Sequence, residues 1–367
     1  MTTELINTLL LKGKAFAAWA MPGAEVELMV AKPDQVNIIN DESELDDLHG
    51  FIFAPFQKND SCPLVLLQGT HLKTAQEMKD FQITGELSSA SERSGRHRPF
   101  IISQSEYLTD INQTVEHLHK SELSKVVISR INEMERGEKS IGEVMELLRE
   151  QNPRAFVYVV SIPKVGTWIG ATPESLLQMN AGHYETMSLA GTQSQQQDAD
   201  YRWRTKEIEE QAFVSRYILE AFHDLGIHPY TTIGPNTLES GGLAHLHTSF
   251  QFAPELVEGK LSAFVKRLHP TPAVCGLPKA EALTFIGKME KHKRRYYSGY
   301  LGTWQMEGGT NLFVNLRCME LMGNQCLIYV GGGITTSSNA AEEWEETEKK
   351  AEVMMRVMPP PTPRGGE

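Results

Sequence analysis

The chain has 367 residues, 40% of them hydrophobic and 22% charged, enough for one large core or two smaller ones. A formal charge of −12, with both signs interspersed, argues against nucleic acid or an anionic membrane as main partner, since both select basic patches. No run of about 18 apolar residues occurs, Lys12 and Lys14 interrupt the apolar N-terminus of a would-be signal peptide, and Cys62, Cys275, Cys318 and Cys326 lack zinc spacing. The expectation is a cytoplasmic protein with reduced thiols. From the N-terminus, the first hundred residues read as short strands and turns, clearest over 25–30, 50–55 and 64–68. A polar, basic stretch over 88–98 reads as a loop, after which Tyr107, Ile111, Val115 and Leu118 recur at helical spacing.

Strands and helices then mix: a β-branched strand over 125–129, a helix over 141–149, strands over 155–162 and 167–169, and a long helix over 202–222. Further helices are expected near Ser262 and over 279–294, strands over 299–305, 311–320 and 325–330, and a closing helix over 340–357. Short turns such as 307–310 join the late strands, which therefore pair antiparallel. The fold class expected is α+β with antiparallel sheets, not a doubly wound parallel sheet. The end of the chain, 358–367, is rich in Pro and Gly and reads as a disordered tail.

The most informative pattern is a pair of helices in matching register. Glu207 and Glu210 are followed by Val214, Tyr217 and Ala221, and Glu343 and Glu346 by Lys350, Val353 and Val357, all at steps of three and four. Such steps stack five residues on one face, so each apolar stripe continues into two carboxylates. Four buried carboxylates are costly without compensation, and a hard cation such as Mg²⁺ would offset that cost; the alternative is solvated glutamates on acidic helices. Val330-Gly-Gly-Gly-Ile334 permits close approach of backbone to an anion, or is a tight turn. Lys125 opens the strand over 125–130 with Val127 and Ser129 on its face, either snorkelling or serving as a base in a pocket. Ala171-Thr-Pro-Glu-Ser175 ends a strand and reads as a turn or helix start, with Glu174 in a capping role. Leu189-Ala-Gly-Thr192 and His269-Pro-Thr-Pro-Ala273 read as loops.

Taken in order, these segments resemble the chorismate-utilising enzymes: isochorismate and salicylate synthases and the large subunits of anthranilate and aminodeoxychorismate synthases. The matching pieces are Ser124-Lys-Val-Val-Ile-Ser-Arg130, Ile169-Gly-Ala-Thr-Pro-Glu174, Leu189-Ala-Gly-Thr192, Leu268-His-Pro-Thr-Pro-Ala273, Tyr297-Ser-Gly299, Arg317, Gly331-Gly-Gly-Ile334 and Glu343-Trp-Glu-Glu-Thr347. They imply a variable N-terminal part over 1–104 and a chorismate-binding region over 105–357, in one domain of two face-to-face antiparallel sheets with helices outside.

The resemblance also implies roles. Mg²⁺ held by Glu210 and Glu346, with Glu207 and Glu343 behind them, would bind the ring carboxylate of chorismate. Arg317, Tyr297, Lys350 and the backbone at Gly331 would take the enolpyruvyl carboxylate, the arginine fork gripping it in two places. Ala190, Gly191 and Thr192 would line the ring site with His269. Lys125 would deprotonate water attacking C2, and Glu174 would protonate the departing C4 hydroxyl. That requires a neutral lysine against an ordinary pKa of about 10.4 and a protonated glutamate against about 4.3, and burial pushes both the needed way. Amine-transferring relatives differ at the base lysine, and the aminodeoxychorismate branch carries a lysine nucleophile where Ala190 stands. Isochorismate synthase is therefore the expected activity, without a glutamine amidotransferase subunit and as a monomer, its product destined for menaquinone, a catechol siderophore or salicylate. The alternatives are a salicylate synthase, which adds pyruvate elimination, and a non-catalytic binding protein on the same fold. Gln211 departs from a usual histidine, Cys275 from glycine, Tyr300 from proline and Gly332 from alanine.

Overall fold

In the computed structural model, which describes residues 2–83, 98–194, 201–240 and 243–358 with the side chains of Ala190, Thr192, Ser194, Lys206, Ser240 and Leu243 outside that description, the strands assemble into two nine-stranded antiparallel sheets. The first runs Gly276–Leu277, Lys125–Glu135, Gln325–Ile334, Cys318–Met322, Gly166–Thr172, Phe156–Ile162, Ala15–Ala20, Glu27–Ala31, Thr70–Leu72. The second runs Tyr230–Ser240, Leu243–Phe252, His183–Ser194, Ser175–Asn180, Gly309–Val314, Tyr300–Met306, Gly50–Ala54, Leu64–Leu67, Val36–Ile39. Strands from the first hundred residues thus lie in both sheets.

Strand alternation explains the layering. In Phe156–Ile162, Phe156, Tyr158 and Val160 face the second sheet, where Phe313 stacks on Phe156 with ring centroids 4.2 Å apart. Val157 and Val159 face the other way, onto the helices Thr2–Leu11 and Ile141–Gln151. The second sheet's outer face is covered by Thr205–Leu225 and Leu261–Leu268. Burying each such aromatic or branched side chain contributes about 1.5–3 kcal/mol. Helix starts are capped as their sequences require: Ser103 with Glu106 and Ser140 with Glu143 form reciprocal capping boxes. The long helix stops at Gly226, at φ 63°. No described helix is long and apolar enough to cross a membrane.

Several expectations need correction. The strand over 311–320 is two strands: Gly309–Val314 ends in the second sheet and Cys318–Met322 begins in the first. Buried Asn315 anchors the crossing, accepting from the Tyr158 hydroxyl at 2.5 Å and donating to the Tyr296 carbonyl at 2.9 Å. Glu174 caps no helix, because the chain passes from Gly166–Thr172 to Ser175–Asn180 and so also changes sheet. Gly331 to Gly333 form no turn but lie inside Gln325–Ile334, laddered to Ser129, Ile128 and Val127. Leu189 to Thr192 lie in the strand His183–Ser194, with Gly191 at φ 71° where the register slips. The helix Thr2–Leu11 and the strands Tyr230–Ser240 and Leu243–Phe252 are absent from the sequence reading. Most of the expected loop over 88–98 and the tail beyond 358 lie outside the described residues.

Candidate active site

The two sheet changes are neighbours. Val314 N–H donates to the Glu174 carbonyl at 2.9 Å, Ala171 N–H to the Arg317 carbonyl at 3.1 Å, and the Thr172 hydroxyl to the Val314 carbonyl at 2.6 Å. This stitching carries Glu174 and Arg317 to one cavity, which Lys125, Glu207, Glu210, Tyr297, Glu346 and Lys350 also line. Arg317 holds φ 45°, a conformation tolerated because these backbone bonds fix it from both sides.

Lys125 enters from the first residue of its strand and is 3% exposed, its Nζ 3.6 Å from Glu210 Oε1. The facing strand makes room for it: a Cβ on Gly333 would lie 2.9 Å from Lys125 Cε and 3.2 Å from Glu210 Oε1. The same omission serves neighbours, since a Cβ on Gly331 would lie 3.0 Å from the Tyr297 hydroxyl and one on Gly332 3.0 Å from Glu343 Oε2. Burial pushes the Glu174 carboxyl up to about 7, against the pull of Arg317, Lys125 and Lys350, so near neutral pH it holds its proton about half the time. Burial likewise raises the Tyr297 hydroxyl to about 12, keeping it a donor.

On Thr205–Leu225 the expected face is present: Glu207, Glu210, Val214, Tyr217 and Ala221 are all buried. On Ala340–Val357 the stripe differs, running Glu343, Thr347, Ala351, Met354 and Val357, which leaves Glu346 and Lys350 half-buried at its edge, facing the cavity. Glu207 and Glu346 are charge-matched. Arg204 donates to both oxygens of Glu207, and Lys350 donates to Glu346 at 2.5 Å and to the Gly331 carbonyl at 2.9 Å. Glu343 accepts from the Ser338 hydroxyl at 2.6 Å.

His269 does not line the cavity; its ring lies against the Pro55 and Phe56 carbonyls and on Tyr300. His245 lines it instead, and no spacing in the sequence singles this residue out. Its Nδ1 lies 3.1 Å from the Gly191 carbonyl, which can only accept, so Nδ1 carries the proton. Burial pushes its pKa down to about 4, and the ring is neutral. Gly191 lines the cavity with Glu207 packed against it; the side chains of Ala190 and Thr192 lie outside the described residues. Gln211 is buried and its amide donates to Ser188 and Thr248, tying the glutamate helix to two strands. Cys275 is buried, which raises its thiol to about 11.

Among the described residues no three His, Cys, Asp or Glu side chains converge into a preformed metal cage. A magnesium ion does not need one, since it keeps waters and ligand oxygens and takes one or two protein carboxylates. Glu210 and Glu346, hard oxygen donors on one cavity wall and its rim, fit that donor set.

A family described as chorismate binding enzyme matches residues 61–359. The vibriobactin-specific isochorismate synthase of Vibrio cholerae is 27% identical over 248 residues, covering 63% of this chain and 61% of that protein. Isochorismate synthase EntC of Escherichia coli is 29% identical over 222 residues, 58% and 56% of the two chains. The matched stretch is thus less than two thirds of either relative's own length. Among solved structures, DhbC from Bacillus anthracis superposes with TM-score 0.78 at 20% identity, covering 97% of this chain and 99% of that one. The menaquinone-specific isochorismate synthase MenF from Escherichia coli does so with TM-score 0.73 at 19% identity, covering 95% and 90%. These superpositions establish the shared fold.

Proposed function

The chain belongs to the chorismate binding enzyme family, and on that premise we propose that it is an isochorismate synthase, an isomerase that adds water at C2 of chorismate and expels the C4 hydroxyl. The observation that carries this reading is a buried lysine and a buried glutamic acid sharing one cavity, the carboxyl raised to about 7. Lys125 takes a proton from the attacking water as its oxygen bonds to C2. Both ring double bonds shift, C1=C2 to C1=C6 and C5=C6 to C4=C5, the C4–O bond breaks, and Glu174 gives its proton to the leaving hydroxyl, so one water enters and one leaves. Positioned acid and base groups contribute about 10²- to 10⁴-fold each.

Arg317, Tyr297 and Lys350, which line the cavity, supply donors for the enolpyruvyl carboxylate. Neutral His245 presents a polar ring edge without adding charge. Glu210 and Glu346 would hold Mg²⁺, with Glu207 and Glu343 behind them; when bound, the ion supplies positive charge for the substrate's ring carboxylate. Lys125 and Ala190 favour water over ammonia or an enzymic amine as nucleophile, so the reading includes no glutamine amidotransferase subunit. It is completed by a monomeric, cytoplasmic protein whose region 105–357 binds chorismate.

The test is incubation of purified protein with chorismate and Mg²⁺, with an EDTA control, resolving products by chromatography. Isochorismate in reversible equilibrium with chorismate, lost with EDTA, is the expected result. Salicylate with pyruvate would place the chain among salicylate synthases, and no metal-dependent turnover would overturn the catalytic reading.

Gly333→Ala tests the room made for the base. Its methyl meets the flexible end of Lys125, so the strand stays and the amine moves. Small displacements of a reacting group lower rates steeply, and kcat is expected to fall about 10- to 100-fold with little change in melting temperature. Steady-state kinetics with thermal melting checks both.

A further inference from the structure

The strand that carries Lys125 is supported unequally on its two sides. One side is laddered to Gln325–Ile334 over ten residue pairs, from Ile334 opposite Val126 to Gln325 opposite Glu135. The other side meets only the two-residue strand Gly276–Leu277, at Val126 and Lys125. Past that bridge the backbone groups of the open side still need partners, because the strand is buried there and a buried group left unpaired is destabilising. Val127 N–H finds the Cys275 carbonyl at 2.7 Å. Two further groups are met by side chains. Arg294 Nη2 donates to the Val127 carbonyl at 2.6 Å, and Ser129 N–H donates to Glu290 Oε1 at 2.7 Å, with the Ser129 hydroxyl donating to the same oxygen at 2.8 Å.

Glu290 and Arg294 are themselves an ion pair at 2.6 Å, with side chains only 4% and 2% exposed. Burial alone would push Glu290 up, but Arg294, His292 and the Ser129 N–H outweigh it and hold the carboxyl below its ordinary range. Arg294 Nη1 donates to the Val274 carbonyl at 2.7 Å, its guanidinium lies 4.4 Å from the Phe56 ring centroid, and its own carbonyl accepts from Tyr297 N–H at 2.9 Å. Val127, Val274 and Tyr297 all line the cavity. One buried pair therefore stands in for part of a missing edge strand and ties two other cavity-lining segments, at Val274 and Tyr297, to the strand that presents the lysine.

We infer that Glu290 and Arg294 are positioning residues for the reaction: by completing the open edge at Val127 and Ser129 they fix Lys125 at its working distance from Glu210. Neither reaches the cavity, so they act on Lys125 through the backbone and contribute nothing to substrate binding. The inference rests on the reading of Lys125 as the base.

Glu290→Gln and Arg294→Lys in the full chain test it. Gln keeps an acceptor for Ser129 N–H but loses the charge facing Arg294, and a Lys ammonium lacks the planar fork that bridges two carbonyls and a carboxylate. The expected result is a 10- to 100-fold lower kcat with KM for chorismate within about threefold of wild type, a split that follows from misplacing a reacting group while leaving the substrate's contacts intact. Amide hydrogen exchange, read without chorismate, should quicken by about tenfold or more in a peptide spanning 125–129 and stay unchanged in one spanning 156–162. A purely structural pair would instead quicken exchange everywhere and lower the folded fraction at unchanged kcat per folded molecule, which overturns the inference. So would a raised KM at unchanged kcat. Wild-type turnover is measured first: its absence sinks the isochorismate reading, while the exchange experiment still decides whether the pair holds this strand.

Discussion

Lys125→Gln is expected to lower kcat for chorismate conversion by about 10³-fold, within the range that general-base groups contribute. The choice of glutamine matters. Lys125 is the partner of buried Glu210, at 3.6 Å, and removing one partner of a buried pair destabilises a protein by about 3–5 kcal/mol. Lys125→Ala would combine that loss with the loss of the base. Glutamine retains an N–H donor for Glu210 at similar volume and cannot accept a proton from water at neutral pH. The expected pattern is thus a collapsed rate with KM for chorismate changed only a few-fold, checked by steady-state kinetics beside thermal melting. A variant keeping more than about a tenth of wild-type kcat would remove Lys125 from the base role, for it would have lost less than the smallest factor expected of a general base.

The helix faces that carry the acids were legible because an α-helix repeats in a way that residue spacing records directly. Glu207, Glu210, Val214, Tyr217 and Ala221 are buried together as their steps of three and four require. The last helix shows the limit of that logic, since Glu343 continues into Thr347 and Ala351 while Glu346 turns toward the cavity. Steps of three and four from one glutamate define more than one possible stripe, and packing against the sheet selects among them.

What the sequence could not show is juxtaposition. Glu174 and Arg317 are far apart in the chain and meet because two strand pairs change sheets at adjoining points. Local pattern saw a turn or helix start at the first and an unbroken strand through the second. Gly331 to Gly333 read as a turn because glycine is commonest there, yet they lie within a strand, where a Cβ at each would crowd Tyr297, Glu343 or Lys125. His245 left no periodic trace, and Glu290 with Arg294 read only as the end of a helix because their partners are backbone atoms of a distant strand.

Glu174→Gln is expected to abolish turnover and, above neutral pH, to make the protein more stable. An amide of the same shape cannot release a proton to the leaving hydroxyl, so kcat should fall by about 10²- to 10⁴-fold. Stability follows from the carboxyl's pKa, raised from 4.5 to about 7 by burial. The folded protein then binds this proton more tightly than the unfolded chain does. The favourable contribution is present in full below about pH 4.5 and is lost as pH rises through about 7. Above that, wild type holds an ionised carboxylate in a buried site at a cost on the order of 3 kcal/mol, at 1.36 kcal/mol per pKa unit. Glutamine carries no such charge at any pH. Stability measured by denaturant unfolding should therefore fall for wild type relative to Glu174→Gln between about pH 4.5 and 7.5, with the variant ahead at the alkaline end. Wild-type kcat should decline over the upper part of the same range as the acid loses its proton. A stability difference flat across that window would mean that the carboxyl titrates in its ordinary range and is ionised at neutral pH. The proton for the leaving hydroxyl would then have to come from another group. If the difference follows pH but Glu174→Gln still turns over chorismate, Glu174 is a buried acid that the reaction does not use.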